Sequence, residues 1–223
     1  MKALFKPLLV LAFAAVAFSS CMKDTSAEDE AAQRELEAKI HAQFEADAEE
    51  IKQFREENLS EAPGGWQEDD TDFQFPALGK TIKRGFWFEL INDPNLDEDE
   101  TYEYKLTQDL RNIALPKIKV TYSVSLLDGE VVQSGENKEI DLATFTSNSD
   151  VFNSVWYFSF IPEIIEYNTD EIPANGLTER GLQKGSHIRV LAPSYFAFGD
   201  KKNGDIPANS PLVYEFEVLD IIE

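Results

Sequence analysis

The residues most able to form a functional site in this chain are aromatic. Histidine and cysteine, the usual catalytic bases and nucleophiles, are scarce. Its 223 residues include two histidines and one cysteine, and no Ser-His-Asp arrangement, zinc-ligand spacing or Gly-rich phosphate loop stands out. Aromatic residues cluster in the stretch LAPSYFAFGDKKNGDIPANSPLVYEFEVLDI, residues 191–221. Such a cluster packs as core or lines an apolar pocket with few titratable groups. Since Tyr214 and Phe216 alternate onto one face of a predicted strand, core packing is the simpler interpretation for Phe216.

One acidic segment has the spacing of a metal loop. Residues 93–99 carry Asp or Asn at every odd position, as calcium loops do. However, Glu98 stands where such a loop needs glycine, and Tyr104 stands where it needs a terminal glutamate. A solvated acidic turn is therefore the favoured interpretation, and the sequence predicts neither a metal nor a cofactor.

The overall charge narrows the classes of partner. The formal net charge is −22, with 42 acidic residues against 20 lysines and arginines. A chain with so few spare cations is not expected to bind nucleic acid, because phosphate neutralisation needs clustered lysine or arginine. The length is sufficient for one or two domains with a packed core.

The N-terminus has the pattern of a targeting segment. Lys2 and Lys6 flank the start of an apolar run at residues 8–18, which is shorter than the ~20 residues that span a bilayer. Two serines then precede Cys21, as in a bacterial lipobox. We expect residues 1–20 to be a lipoprotein signal peptide and Cys21 to be lipidated. The protein would then be a cell-envelope lipoprotein, anchored in the outer membrane of a Gram-negative bacterium; the alternative is a free or buried thiol in a cytosolic protein.

Three further regions follow the anchor. Residues 21–60 are predicted as an N-terminal amphipathic helix, with apolar residues spaced by three and four along residues 36–54. This stripe would pack on its own domain, on a partner, or on a second copy. Residues 61–84 look like an acidic linker, since SEAPGGWQEDD combines Pro, Gly and acids. Alternating strand patterns and an Asp128-Gly129 turn mark residues 85–223 as a β-rich domain, so the predicted class is α+β.

Several stretches of this domain resemble the signatures of FKBP-type peptidyl-prolyl cis-trans isomerases. PSYFAFG and IPANSPLVYEFEVLD, within residues 193–220, resemble the family's P-S-x-L-A-Y-G and I-P-P-N-S-x-L-x-F-x-V-E-L-L-D. VTYSVSLLDGEVVQSG at 120–135, EIPANGLTERGLQKG at 171–185 and RGFWFELI at 84–91 resemble its other segments. The resemblance, to a divergent lipoprotein member of the Bacteroidota type, covers 85–223 and leaves an insertion at about 143–170 unmatched.

The resemblance implies both a fold and a pocket. The fold would be an antiparallel half-barrel sheet wrapped on a short helix, preceded by the long N-terminal helix. The pocket residues that follow by position are catalytic Tyr122, Gln133, Ile172 and Phe198, with Ile172 giving a backbone N–H, and substrate-binding Val132, Ile206 and Tyr214. Trp156, within the insertion, is a further substrate-binding candidate, because it could fill the pocket floor.

The chain departs from the family pattern at three of these positions and at Asn175. The family's Phe-Asp pair is Val132-Gln133 here, its substrate-binding Tyr is Phe198, and its floor Trp aligns with Asn175. Two functions are therefore expected as alternatives. One is a prolyl isomerase (rotamase) and folding helper, or chaperone, that acts on Xaa-Pro segments of exported proteins. The other is a weak or inactive FKBP-fold binding module of an envelope or secretion complex, and dimerisation through the N-terminal helix is a further expectation.

Overall fold

The computed structural model describes residues 26–96, 100–144 and 151–222. The predicted signal peptide, Cys21, Asp97 and Asp99 lie outside these residues. Within this part of the chain, no helix is both long and apolar enough to cross a bilayer. The elements in chain order are α1 Ser26–Glu57, β1 Gln67–Glu68, β2 Asp72–Phe75, β3 Lys80–Lys83, β4 Trp87–Asn92, β5 Lys105–Leu106, β6 Ile113–Ala114, β7 Lys117–Leu126, β8 Val131–Asp141, α2 Ser154–Phe160, β9 Ile164–Tyr167, β10 Asp170–Pro173, β11 His187–Ala192 and β12 Leu212–Ile222.

Six of the described strands form one large antiparallel sheet in the order β1-β4-β11-β12-β7-β8, and the others pair as β2-β3, β5-β6 and β9-β10. Successive residues of a strand point to opposite faces of the sheet, and both faces of this sheet carry apolar residues. On β12, Tyr214 and Phe216 belong to the main core, whereas Val213, which directly precedes Tyr214, packs with Leu191 in a second cluster. The sheet is therefore covered on both sides, as the two-sided apolar pattern of residues 85–91 predicts.

One helix covers each face. Trp156 and Phe160 of α2 are fully buried in the main core, and Ile51 of α1 packs with Leu191 and Val213 on the other face. The predicted stripe of α1 therefore packs on the chain's own domain. These observations confirm the α+β class, the long N-terminal helix, and the antiparallel sheet packed on a short helix.

The predicted acidic linker at 61–84 is folded in the structure. β1 pairs with β4, β2 and β3 form a hairpin, and Phe75 is 2% exposed. Asp69 and Arg84 form a buried ion pair, with Arg84 Nη2 3.1 Å from Asp69 Oδ1. The prediction of a linker was wrong because it relied on the acidic composition of residues 61–84. Phe73 and Phe75 pack in the main core, and their burial orders this segment.

The segment at about 143–170, which matches no family motif, contains regular structure. It includes α2, the helix that covers the sheet, and β9, which pairs with β10 in a hairpin. Backbone hydrogen bonds close the base of this hairpin, from Ala174 N–H to Glu163 O (2.8 Å) and from Leu177 N–H to Phe158 O (2.9 Å). At Gly176 a Cβ would lie 1.8 Å from the Ile161 carbonyl oxygen, so this close approach requires glycine.

Candidate functional site

An open cleft of about 680 Å³ lies between the start of α2 and the segment that follows β11. Five aromatic residues line it, namely Phe152, Tyr157, Tyr195, Phe196 and Phe198. Asp200 and Lys201 are exposed where the cleft meets solvent. The aromatic rings of this lining make the cleft suited to binding an apolar group.

Asn153 fixes the start of α2 against the sheet. Its side chain caps the helix, because Oδ1 accepts a hydrogen bond from the Val155 N–H at 3.1 Å. The Nδ2 group of the same amide donates to the hydroxyl oxygen of Tyr214 at 2.6 Å. One side chain therefore both starts the helix and ties it to β12, which holds this wall of the cleft in place.

Trp156 lies below the cleft wall, between α2 and the sheet. Its ring centroid is 4.9 Å from Phe152, 4.9 Å from Tyr122 and 4.6 Å from Phe216. The side chain is fully buried, whereas its neighbour Phe152 lines the cleft. Trp156 therefore supports the cleft from beneath and leaves it open.

The opposite wall is the segment after β11. Residues Ser194–Phe196 form a 3₁₀ turn, and Gly199 follows with a φ of 63°. The Gly199 N–H donates to Ser194 O at 2.8 Å, and the Asn209 N–H donates to Gly199 O at 2.7 Å. These bonds fold the segment back so that Phe198 lies at the cleft.

The titratable groups in the walls favour neutral hydrogen bonding. Burial raises the pKa of Tyr157 and of Tyr195 above the ordinary phenol range, so both stay protonated at neutral pH. Burial also raises the pKa of Tyr214, although the hydrogen bond from Asn153 partly opposes this. The two phenols that line the cleft are therefore uncharged at neutral pH.

The structure brings only some of the sequence-predicted site residues to this cleft. Phe198 lines it. Tyr122, Val132 and Gln133 lie half-buried on β7 and β8, while Trp156, Ile206 and Tyr214 are at most 1% exposed and belong to the core beneath the walls. The assignment of these residues to a substrate pocket stays a prediction.

Two predicted positions lie away from the cleft. Ile172 is on β10 opposite Ile165, and Asn175 follows the hairpin with its N–H bonded to Glu163 O at 3.0 Å. Neither is among the residues that line the cleft. The assignment of Ile172 as the backbone donor depended on reading 171–185 without gaps, and the β9–β10 hairpin occupies the first part of that segment.

Sequence reasoning missed the wall residues Phe152, Asn153, Tyr157 and Tyr195. The first three belong to the segment that matches no family motif, so the resemblance carried no information about them. A usable signal was present, since Asn153 directly precedes the apolar run SVWYFSF in the way that a helix cap does.

Among the described residues, no group of three or more His, Cys, Asp or Glu side chains is arranged to hold a metal ion. In the acidic segment that resembles a calcium loop, Asp93 accepts from Arg180 Nη2 at 3.1 Å. Asp93 therefore forms an ion pair with Arg180.

Comparison with known proteins gives structural neighbours only. No family model and no curated protein sequence matches the chain. A peptidyl-prolyl cis-trans isomerase from Pseudomonas syringae pv. tomato is 16% identical with a TM-score of 0.44, over 82% of this chain and 96% of that one. FkpA from Escherichia coli is 18% identical with a TM-score of 0.37, over 91% and 75%. AtFKBP13 is 18% identical with a TM-score of 0.38, over 61% and 93%.

Proposed function

We propose that the cleft binds Xaa-Pro segments of exported proteins and accelerates their cis-trans isomerisation. The observation that supports this most is the open aromatic cleft with Phe198 in one wall and Trp156 beneath the other. Phe198 belongs to PSYFAFG, the segment in which the resemblance to FKBP-type isomerases is most specific. The cleft volume and its aromatic walls suit a proline ring.

Isomerisation in such a cleft needs no nucleophile or metal. Resonance makes the Xaa-Pro bond planar, and rotation about it costs ~18–20 kcal/mol. At the twisted transition state the conjugation is lost and the carbonyl becomes less dipolar, so an apolar environment stabilises it relative to the solvated planar form. A neutral donor such as Tyr157 or Tyr195 would orient the carbonyl without adding charge.

A second candidate function is a binding module without turnover. The specific observation for it is that Tyr214, a wall residue in the resemblance, is fully buried and that Asn153 Nδ2 already donates to its hydroxyl at 2.6 Å. Val132 and Gln133 replace the family's Phe and Asp. A chain of this kind would hold a proline-containing partner of an envelope or secretion complex in the cleft.

A protease-coupled assay on a peptide with one Xaa-Pro bond separates the two functions. We expect the purified chain to raise the isomerisation rate above the uncatalysed rate. The double variant Gln133→Asp, Phe198→Tyr should be faster still, by about tenfold, because one restored hydrogen bond to a carbonyl contributes ~1 kcal/mol or more.

The matched control for this assay is Glu179→Gln, an exposed position outside the cleft lining, which should leave the rate unchanged. A wild-type chain with no rate above background excludes the catalytic proposal. If the double variant is also inactive, the cleft does not work as the family's pocket does.

We also propose that a lipid on Cys21 anchors the chain in the outer membrane. The support is the signal-like pattern of residues 1–20 followed by this lone cysteine. Fractionation of cells that express the full chain should find the protein with the membranes. Cys21→Ser should move it to the soluble fraction, and an unchanged distribution would contradict the anchor.

A further inference from the structure

We propose that Asp47 of α1 is a positioning residue for the cleft, and that the N-terminal helix is thereby a working part of the site. Asp47 lies 147 residues before Ser194 in the sequence, yet its carboxylate binds the segment that carries Phe198. This inference depends on the proposed function for its effect on peptides, but the structural part of it can be tested separately.

The contact is made by a buried carboxylate. Asp47 is 1% exposed, and its Oδ2 accepts from the Ser194 N–H and from the Ser194 hydroxyl, each at 2.7 Å. Its Oδ1 accepts from Gln43 Nε2 at 2.7 Å. A buried carboxylate is costly unless its oxygens are hydrogen-bonded, and these three bonds meet that requirement.

The bond to Ser194 supplies something that the local chain lacks. Ser194 begins the 3₁₀ turn, and Pro193 before it makes no side-chain cap. The free N–H groups at the start of a helical turn need an acceptor, which a flanking Ser, Thr, Asp or Asn usually provides. Here a carboxylate from a distant helix provides it, so the turn is capped only while α1 is docked.

An aromatic contact lies one turn earlier on the same face of α1. Phe44 has its ring centroid 5.4 Å from Tyr195 and 5.8 Å from Phe196. Both of these residues line the cleft. Residues three apart lie on one face of a helix, so Phe44 and Asp47 hold the same segment together, by packing and by hydrogen bonds.

The consequence concerns the position of Phe198. The Gly199 N–H donates to Ser194 O at 2.8 Å and so closes the segment. The position of Phe198 within this closed segment therefore depends on the position of Ser194. Loss of the Asp47 contact should therefore loosen the Phe198 wall while β11 and β12 stay paired.

Amide hydrogen exchange of residues 194–199 tests this without any peptide. We expect Asp47→Ala to speed exchange there by about tenfold or more, since a hydrogen bond to a charged group is a strong one. Asp47→Asn should have a smaller effect because one oxygen acceptor remains. Exchange in β12 should not change, and Glu49→Gln, which removes an exposed charge from the same helix, should have no effect at either place.

Peptide turnover gives the second readout. In the assay of the proposed function, Asp47→Asn should raise KM by several-fold with kcat nearly unchanged. A positioning residue affects how well the site binds the peptide, and it has little effect on the rate of isomerisation once the peptide is bound. If the wild-type chain shows no turnover, the proposed function fails, while the exchange result still decides the role of Asp47.

Two outcomes would overturn the inference. One is wild-type exchange at residues 194–199 in folded Asp47→Ala. The other is equal acceleration across residues 194–199 and β12, which would assign Asp47 a merely global structural role. If Asp47→Ala does not fold, Asp47→Asn and Ser194→Ala, which removes only the hydroxyl contact, take its place under the same criteria.

Discussion

Replacing Trp156 with alanine is expected to lower the free energy of unfolding by about 3–5 kcal/mol, the usual range for a buried tryptophan. The side chain is fully buried and contacts the rings of Tyr122, Phe152 and Phe216. Its removal would leave a cavity between α2 and the sheet that neighbouring rings cannot fill. Because Phe152 lines the cleft, binding of a prolyl peptide should weaken as well.

Denaturant unfolding of the variants checks this prediction. Trp66→Ala is the matched control, since Trp66 is only half-buried and lies at the edge where α1 meets the sheet, 6.4 Å from the Phe54 ring. A smaller loss of about 1 kcal/mol is typical of such a partly exposed position. Equal losses for the two variants would contradict the role given to Trp156 as the support of the cleft.

The second large effect is expected at Glu89, a fully buried carboxylate on β4. It accepts hydrogen bonds from the Ser60 hydroxyl, from the Glu61 N–H at 2.8 Å and from Arg189 Nε at 2.6 Å. Glu89→Gln should cost about 3–5 kcal/mol, because breaking a buried ion pair leaves Arg189 without its main counter-charge.

The same carboxylate predicts a pH dependence. Burial alone would raise the pKa of Glu89, but the hydrogen bonds from Ser60 and Ala62 and the charge of Arg189 together hold it below the ordinary value of 4.5. A carboxyl whose pKa is lower in the folded state stabilises the fold above the unfolded pKa. This stability is lost as the pH falls below about 4.5 and through the lowered folded-state pKa.

Unfolding of wild type and Glu89→Gln between pH 7 and pH 3 measures this effect. The difference in stability between them should shrink as the pH falls. Glu61→Gln is the control, since the Glu61 carboxylate lies 3.4 Å from the same Arg189 but is 66% exposed, and an exposed pair contributes about 0–1 kcal/mol. A constant difference between wild type and Glu89→Gln across this pH range would contradict the assignment.

Elements with strong periodicity could be predicted closely. The predicted N-terminal helix matches α1 Ser26–Glu57, and the alternating residues of the last strand match β12 Leu212–Ile222. In both cases a regular apolar pattern extends over ten residues or more, so the local sequence determines the element. The two-sided burial of the sheet follows from the same alternation.

The parts that failed depend on contacts between distant residues. The segment 61–84 is ordered by pairing with β4 and by burial of Phe75, neither of which its acidic composition indicates. The contact of Asp47 with Ser194 joins residues 147 positions apart. No local pattern encodes such a contact, so the participation of α1 in the cleft was not predictable.

The candidate site was predicted in part, for a similar reason. Phe198 lies in a motif of fixed order and spacing, so its place at the cleft could be expected. Phe152 and Asn153 lie in a segment with no matching motif, and Ile172 lies on β10, outside the cleft lining. A segment without a matching motif gives no information about which of its residues line the cleft.

The most direct test of the central claim is exchange NMR on a peptide with one Xaa-Pro bond, at a low ratio of protein to peptide. Catalysis should connect the cis and trans peptide signals far faster than the tens to hundreds of seconds of the uncatalysed reaction. The ring signals of Phe152, Tyr157 and Phe198 should shift as the peptide is added. Unchanged cleft signals, together with peptide exchange at the uncatalysed rate, would contradict the claim that this cleft recognises prolyl bonds.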